Sequence, residues 1–231
     1  SRIENIALTG GVHKLEFLFA SSTEYAKNFA CDSGTLSTTC TVSTSQTMTN
    51  NEVISGTGNL TVASGGVLTT AAGETFGINM TGGASTILIQ SGGTITGNLS
   101  GATSTTFTID SGGSINVAGR GFAAEAGPGA GSRPAPDGGG GGGAHGGRGG
   151  SGNGAAGVAI YGSTTTPTTF GSGGGNSLLN GSADDTGGAG GGAVKINTTG
   201  TLTINGTVSA NGAAGTDGGD ANRRPGGGAG G

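Results

Sequence analysis

The chain has 231 residues, 57 of them glycine, with 4% aromatic and 10% charged residues, five prolines and a formal net charge of −4. Glycine loses the most backbone entropy on folding and brings no side chain to bury, so a compact helical enzyme is excluded. Five prolines are too few for collagen, no apolar run is long enough to span a membrane, and the acidic balance offers nucleic acid no electrostatic footprint.

In chain order, residues 1–39 differ from the rest. Ile3, Ile6 and Leu8 form one apolar set; after Thr9-Gly10-Gly11, Leu15, Phe17 and Phe19 alternate with Lys14 and Glu16. This reads as a β-hairpin, serving either as a cap that protects the end of a repeat fold or as an assembly strand for another subunit. No secretory leader precedes it, so the sequence is expected to begin at a mature N-terminus. Cys31 and Cys40 flank a loop with the turn signal Asp32-Ser33-Gly34. A disulfide is the expected use of the pair, since no histidine lies near enough to complete a zinc site, and it favours an oxidising, extracellular setting.

Residues 40–118 carry a repeat. Val42, Val62, Ile89 and Ile109 are each followed six positions later by another apolar residue: Met48, Leu68, Ile95 and Ile115. Three of these intervals contain Ser-Gly-Gly, at 64–66, 91–93 and 111–113. Short alternating strands, glycine turns and a period near twenty describe the coils of a parallel β-solenoid (β-helix), an all-β fold in which equivalent strands stack into apolar ladders. A β-sandwich is the alternative, but it has no reason to repeat Ser-Gly-Gly at one offset. No lysine or arginine occurs between Lys27 and Arg120. A surface solvated by hydroxyls rather than ions again suits a secreted scaffold.

Residues 119–231 are expected to continue the solenoid, interrupted by glycine-rich tracts at 119–154, 171–192 and 212–231. Thr201-Leu202-Thr203-Ile204 with Val208 copies the repeat, and Val158-Ala159-Ile160 and Val194-Lys195-Ile196 read as re-entry strands. Parts of the tracts have a period of three, as in His145-Gly-Gly-Arg148-Gly-Gly-Ser151. That is the period of a polyproline-II-type helix, which with two glycines per turn can pack closely against its neighbours. Flexible linkers are the alternative for such composition. No strand follows the third tract: either the chain continues past Gly231, or a strand from another subunit fills the place, a head-to-tail contact that builds an open filament.

The Ser-Gly-Gly-punctuated coils at 40–117 and 194–210 resemble bacterial surface β-helices of the filamentous-haemagglutinin and autotransporter-passenger type. The glycine tracts resemble the polyglycine-II sandwiches of phage tail-fibre tip adhesins. Both resemblances imply extracellular binding or structural roles without catalysis, and neither carries a signature residue across.

Catalytic and cofactor chemistry finds no support. Asp110 is the only acid between Glu74 and Glu125, so no glycosidase pair can be named. His13 and His145 are far apart. Asp184-Asp185, Asp217 and Asp220 lack the spacing of a calcium repeat and read as solvated turn acids. Asn59, Asn79, Asn98, Asn180, Asn197 and Asn205 begin N-x-S/T sequons and are glycan acceptors if the chain is secreted. The expectation is a non-enzymatic, cofactor-free extracellular protein, the subunit of a cell-surface filament, sheath or adhesive fibre that polymerises head-to-tail with copies of itself. A receptor-binding adhesin, contacting surface glycans or a host receptor, is the first alternative; a carbohydrate-active β-helix enzyme is the second.

Overall fold

The structure is a computed structural model that describes residues 28–134, 137–152, 159–163, 168–179, 182–183, 185–216 and 224–231. The apolar N-terminal residues from Ile3 to Phe19, with His13, Val158, Asn180, Asp184, Asp217 and Asp220, lie outside them.

The expected solenoid is present, and no helix occurs among the described residues. Its first coil consists of β1 (Thr39–Val42), β2 (Ser45–Thr47) and β3 (Glu52–Gly56). The second has β4 (Asn59–Val62), β5 (Val67–Thr69) and β6 (Thr75–Met80), and the third β7 (Thr86–Ile89), β8 (Thr94–Ile95) and β9 (Asn98–Ser104). The fourth begins with β10 (Thr106–Ile109) and β11 (Ser114–Asn116). A long glycine-rich insertion follows, containing a small antiparallel pair, β12 (Leu178–Leu179) and β13 (Ser182–Ala183). The chain then resumes with β14 (Val194–Thr198), β15 (Leu202–Ile204) and β16 (Thr207–Ser209).

Equivalent strands stack in parallel into three sheets, ordered β1-β4-β7-β10-β15, β2-β5-β8-β11-β16 and β3-β6-β9-β14. Alternate residues point inward, so the register produces columns. Cys40, Leu60, Ile87, Phe107 and Leu202 form one column, and Val42, Val62, Ile89, Ile109 and Ile204 the next. Except at the last position these side chains are fully buried. Phe76 and Leu99, with Ile78 and Ala102, supply the third side of the core. Threonines fill outward positions such as Thr41, Thr61, Thr108 and Thr203, where a β-branched side chain suits the strand and a hydroxyl suits water.

Glycine turns the corners. Gly65, Gly92 and Gly112 all have φ between +79° and +84°, a region that side-chain-bearing residues rarely adopt. They stack as the strands do, Gly65 N–H donating to Gly92 O and Gly92 N–H to Gly112 O. The alignment of Met48 with Leu68 needs correction. Gln46 stands in register with Leu68, Ile95 and Ile115, and Met48 enters the core from the turn after β2.

The expected re-entry strand at 158–160 is also corrected: Ala159 and Ile160 belong to no strand, and Ile160 is 57% exposed. The first two glycine tracts therefore share one insertion, which leaves the fourth coil after Val117 and returns at β14. Gly192 N–H donates to Val117 O, joining the two ends. The third tract leaves after β16 beside them, where Gly119 N–H donates to Asn211 O.

Outside the solenoid the tracts hydrogen-bond to one another with a three-residue advance. Gly171 and Gly174 donate to Gly191 and Gly188 and accept from Phe122 and Glu125. The carbonyls of Ser172 and Gly175 accept from Ala229 and Gly226, while Gly175 N–H donates to Gly141 O. A strand in a sheet has neighbours on two sides only. Residues 171–175 are bonded on more sides than that, and all are buried. The arrangement satisfies backbone groups that burial would otherwise orphan, and it requires glycine. At Gly174 or Gly190 a Cβ would run into a carbonyl oxygen of the next segment, Gly226 O or Gly171 O.

Candidate assembly surface at the open end of the solenoid

The two ends of the solenoid are finished differently. At the upper end two inward columns terminate in polar residues. Gln46 heads the Leu68–Ile95–Ile115 column, and its amide exchanges two hydrogen bonds with the backbone of Ala30, at 2.6 and 3.1 Å. Glu52 heads the Phe76–Leu99–Val194 column. It is buried, and its carboxylate accepts from Asn28 N–H (2.9 Å), Thr49 N–H (2.7 Å) and the Thr49 hydroxyl (2.9 Å). Phe29, Cys31 and Leu36 pack over the apolar columns between them.

The Cys31–Cys40 disulfide forms as expected, with a Cα–Cα distance of 5.2 Å. It bonds the cap directly to the first coil; closing a loop of that length contributes roughly 2.5–3 kcal/mol through the unfolded chain. Asp32 reinforces the same loop, accepting from the N–H groups of Ser43 and Thr44 at 2.6 and 2.8 Å.

Burial opposes ionisation of Glu52, but the N–H groups of Asn28, Thr49 and Phe29 and the Thr49 hydroxyl outweigh it and hold the carboxyl below the usual glutamate value. A depressed folded-state pKa contributes stability above the unfolded value and loses it as pH falls through the folded one. The cap should therefore loosen in acid. Amide hydrogen exchange at Asn28 and Thr49, slow at neutral pH, is expected to lose protection as pH falls below the ordinary glutamate value. In Glu52→Gln it should be lost at every pH. Protection unaffected by acid would show that the carboxylate does not hold the cap.

The lower end has no such lid among the described residues. Leu202, Ile204 and Val208 continue the columns of Phe107, Ile109 and Ile115 in register, yet they are 47%, 48% and 42% exposed. Among the described residues the last coil supplies β15 and β16, and the third sheet ends at β14. After β16 the chain passes into the glycine layer at Ala210, whose carbonyl accepts from Gly231 N–H. Among the described residues no strand pairs with the lower edge of β14, and its outward side chains Lys195 and Asn197 are exposed.

The sequons divide by position. Asn197 and Asn205 are exposed near the open end, and Asn79 is half-buried on β6. Asn59 is engaged, accepting from Thr86 N–H at 2.9 Å. Asn98 is fully buried; its amide donates to Glu74 O and Arg120 O at 2.9 Å each, and Oδ1 has no hydrogen-bond partner. A glycan on Asn98 is incompatible with this fold, which corrects the expectation for that sequon.

On the glycine layer, His145 and Tyr161 meet edge to face at 4.8 Å, and the Tyr161 hydroxyl lies 2.7 Å from Ser172 Oγ. Ser172 Oγ also accepts from Gly129 N–H. This cluster ties the turn at 145–151 to the buried segment 171–175, a role the sequence did not signal. Gln46 and Glu52 were missed too, because their meaning depends on which strand stands at the top. Among the described residues no group of three or more His, Cys, Asp or Glu side chains is placed to hold a metal ion, and no helix is long and apolar enough to cross a membrane.

No family model, curated protein or solved structure matches the chain.

Proposed function

We propose that the protein is the subunit of an extracellular, cell-surface filament, assembled head-to-tail by β-strand complementation: the apolar N-terminal segment of one copy completes the open coil of the next. The observation that carries this reading is the asymmetry of the two ends. Polar side chains, a disulfide and a cap close the upper end, while no described residue covers the apolar ladder or pairs with the sheet edge at the lower end. An exposed edge of this kind is a template for pairing, and a heterologous contact between unlike ends propagates. The layer on the solenoid's flank is in this reading a polyglycine-II-type bundle, consistent with the three-residue advance of its hydrogen bonds. It would line the fibre surface, with Arg148 and Ser151 exposed at one of its turns.

Purified full-length chain, imaged by negative stain and sized by analytical ultracentrifugation, should form fibres with an axial rise per subunit of roughly 25–30 Å. That value is five stacked strands in the tallest sheet at about 4.8 Å each plus the cap layer. Removing residues 1–27 should leave soluble monomers. A full-length chain that stays monomeric at high concentration would overturn the proposal.

A further inference from the structure

We propose that the outward face of the first sheet, β1-β4-β7-β10-β15, is an ice-binding surface whose threonine columns hold water in the lattice of a growing ice crystal. The face lies on the flank of the solenoid, away from both of its ends, and it serves this role in a monomer or a fibre alike.

The register of this sheet leaves two outward columns. Thr41, Thr61, Leu88, Thr108 and Thr203 form one, and Thr39, Asn59, Thr86 and Thr106 the other. Seven of these nine positions are threonine and none is charged. Strand propensity by itself explains a mixture, because valine, isoleucine and tyrosine serve as well. The third sheet shows such a mixture on its outward face, with Val53, Asn79 and Lys195 beside Gly77 and Gly101.

The hydroxyls of the first sheet are unoccupied. Among the described residues, those of Thr41, Thr61, Thr86, Thr106, Thr108 and Thr203 have no hydrogen-bond partner. On the second sheet the corresponding groups are engaged. Ser114 Oγ lies 3.3 Å from Thr94 Oγ1, and the Thr69 hydroxyl donates to Thr70 O and lies 3.5 Å from Arg120 Nη2. Threonine carries a methyl and a hydroxyl on one branched carbon, and the branch restricts χ1. The methyl sheds loosely held water, the hydroxyl anchors an ordered one, and the stiff rotamer has little entropy left to lose. An ammonium group would instead impose its own hydration shell.

The spacing fits. The pairing of β1, β4, β7 and β10 runs without a register shift, whereas the third sheet is irregular at two of its pairings. Strands stack about 4.8 Å apart, and alternate residues along one recur about every 6.6 Å. Hexagonal ice repeats about every 4.5 Å and about every 7.4 Å in its prism plane, so the mismatch along the stack reaches only about 1 Å from β1 to β10. Across the stack the mismatch is met once, since there are two columns. Leu88 and Asn59 interrupt the array. Leu88 has no hydroxyl, and Asn59 is turned to its neighbours, donating to Thr39 Oγ1 at 3.3 Å and accepting from Thr86 N–H at 2.9 Å.

Ice-affinity partition of the full-length chain tests the face. A solution is frozen slowly, and the protein taken into the ice is compared with that left in the liquid, beside a charged control protein of similar size. The chain should enter the ice several-fold above the control. Thr61→Lys and Thr108→Lys should lose that enrichment with far-UV circular dichroism unchanged. Thr61→Tyr, which suits a strand but stands out of the plane, should lose it too, so the result does not depend on a lysine variant that folds poorly. Thr94→Lys on the second sheet should keep it. Leu88→Thr should raise it several-fold, a gain that a purely structural ladder would not give. None of these changes touches the ends of the solenoid, so fibre growth should be the same in all of them. Exclusion of the unaltered chain from ice overturns the proposal, as does equal loss in Thr61→Lys and Thr94→Lys. Leu88→Thr without a gain would overturn the lattice as the basis of binding. Exclusion from ice combined with self-association that Thr61→Lys abolishes in ultracentrifugation would assign the face to a second copy of the chain instead.

Discussion

Phe107→Ala should destabilise the isolated subunit by about 3–5 kcal/mol, the usual cost of truncating a fully buried phenylalanine. Phe107 sits between Ile87 and Leu202 in an inward column with no exposure. Short strands with fixed hydrogen-bond partners above and below cannot collapse sideways into the void, which places the effect toward the upper part of that range. Leu202, one strand lower in the same column, gives the contrast. Because it is half-exposed, Leu202→Ala should cost the monomer less than about 1 kcal/mol, since little area leaves water there. In assembled fibres the same change should become costly if a second copy covers the ladder. Chemical denaturation of monomer and fibre, comparing both variants, measures the difference. Equal costs for Phe107 and Leu202 in the monomer would mean that the lower end is already covered within one chain.

Gly190→Val should disrupt the glycine layer and leave the solenoid folded. Gly190 donates to Phe122 O and accepts from Gly121 N–H, and a Cβ there would overlap the Gly171 carbonyl. The obstacle is backbone, so no rotamer change relieves it. Overpacking costs about 1–3 kcal/mol, and each hydrogen bond lost as the segments separate adds about 0.5–1.5 kcal/mol, so a loss of at least about 3 kcal/mol is expected from the layer. Gly147 lies in the same composition but has nothing within 4 Å of its Cβ position; Gly147→Val should stay within about 0.5 kcal/mol. Hydrogen exchange resolved by residue separates the outcomes. Amides of 171–175 should lose protection in Gly190→Val while those of β4, β7 and β10 keep theirs. Uniform loss across both regions, or equal effects of the two valines, would refute an independently packed layer.

Much of the solenoid was legible because its information is local. Thr106-Phe107-Thr108-Ile109 alternates within four residues, Asp110-Ser111-Gly112-Gly113 turns the corner, and Ile115 starts the next face. The Cys31–Cys40 pair was legible for the same reason. Less visible was anything that depended on stacking order. Met48 lies six residues after Val42, the spacing of the later coils, yet the first coil has Gln46 in the inward position because that coil faces a cap rather than another coil. Val158-Ala159-Ile160 has the composition of a strand, but among the described residues no strand pairs with Ala159 or Ile160. Asn98 looks like any other sequon until the departure and return of the insertion bury it against Glu74 O and Arg120 O.

Residue order alone determined the period, the inward and outward faces, the glycine corners and the three-residue rhythm of the tracts, since each follows from steric preferences acting over a few neighbouring residues. Tertiary structure decided that two tracts share one insertion, that glycine is indispensable at Gly190 and free at Gly147, and that one end is sealed by Gln46 and Glu52 while no described residue covers Leu202, Ile204 and Val208 at the other. Those outcomes depend on which backbone lies within hydrogen-bonding distance of which, and segments far apart in the chain reach that distance only when the coils are stacked.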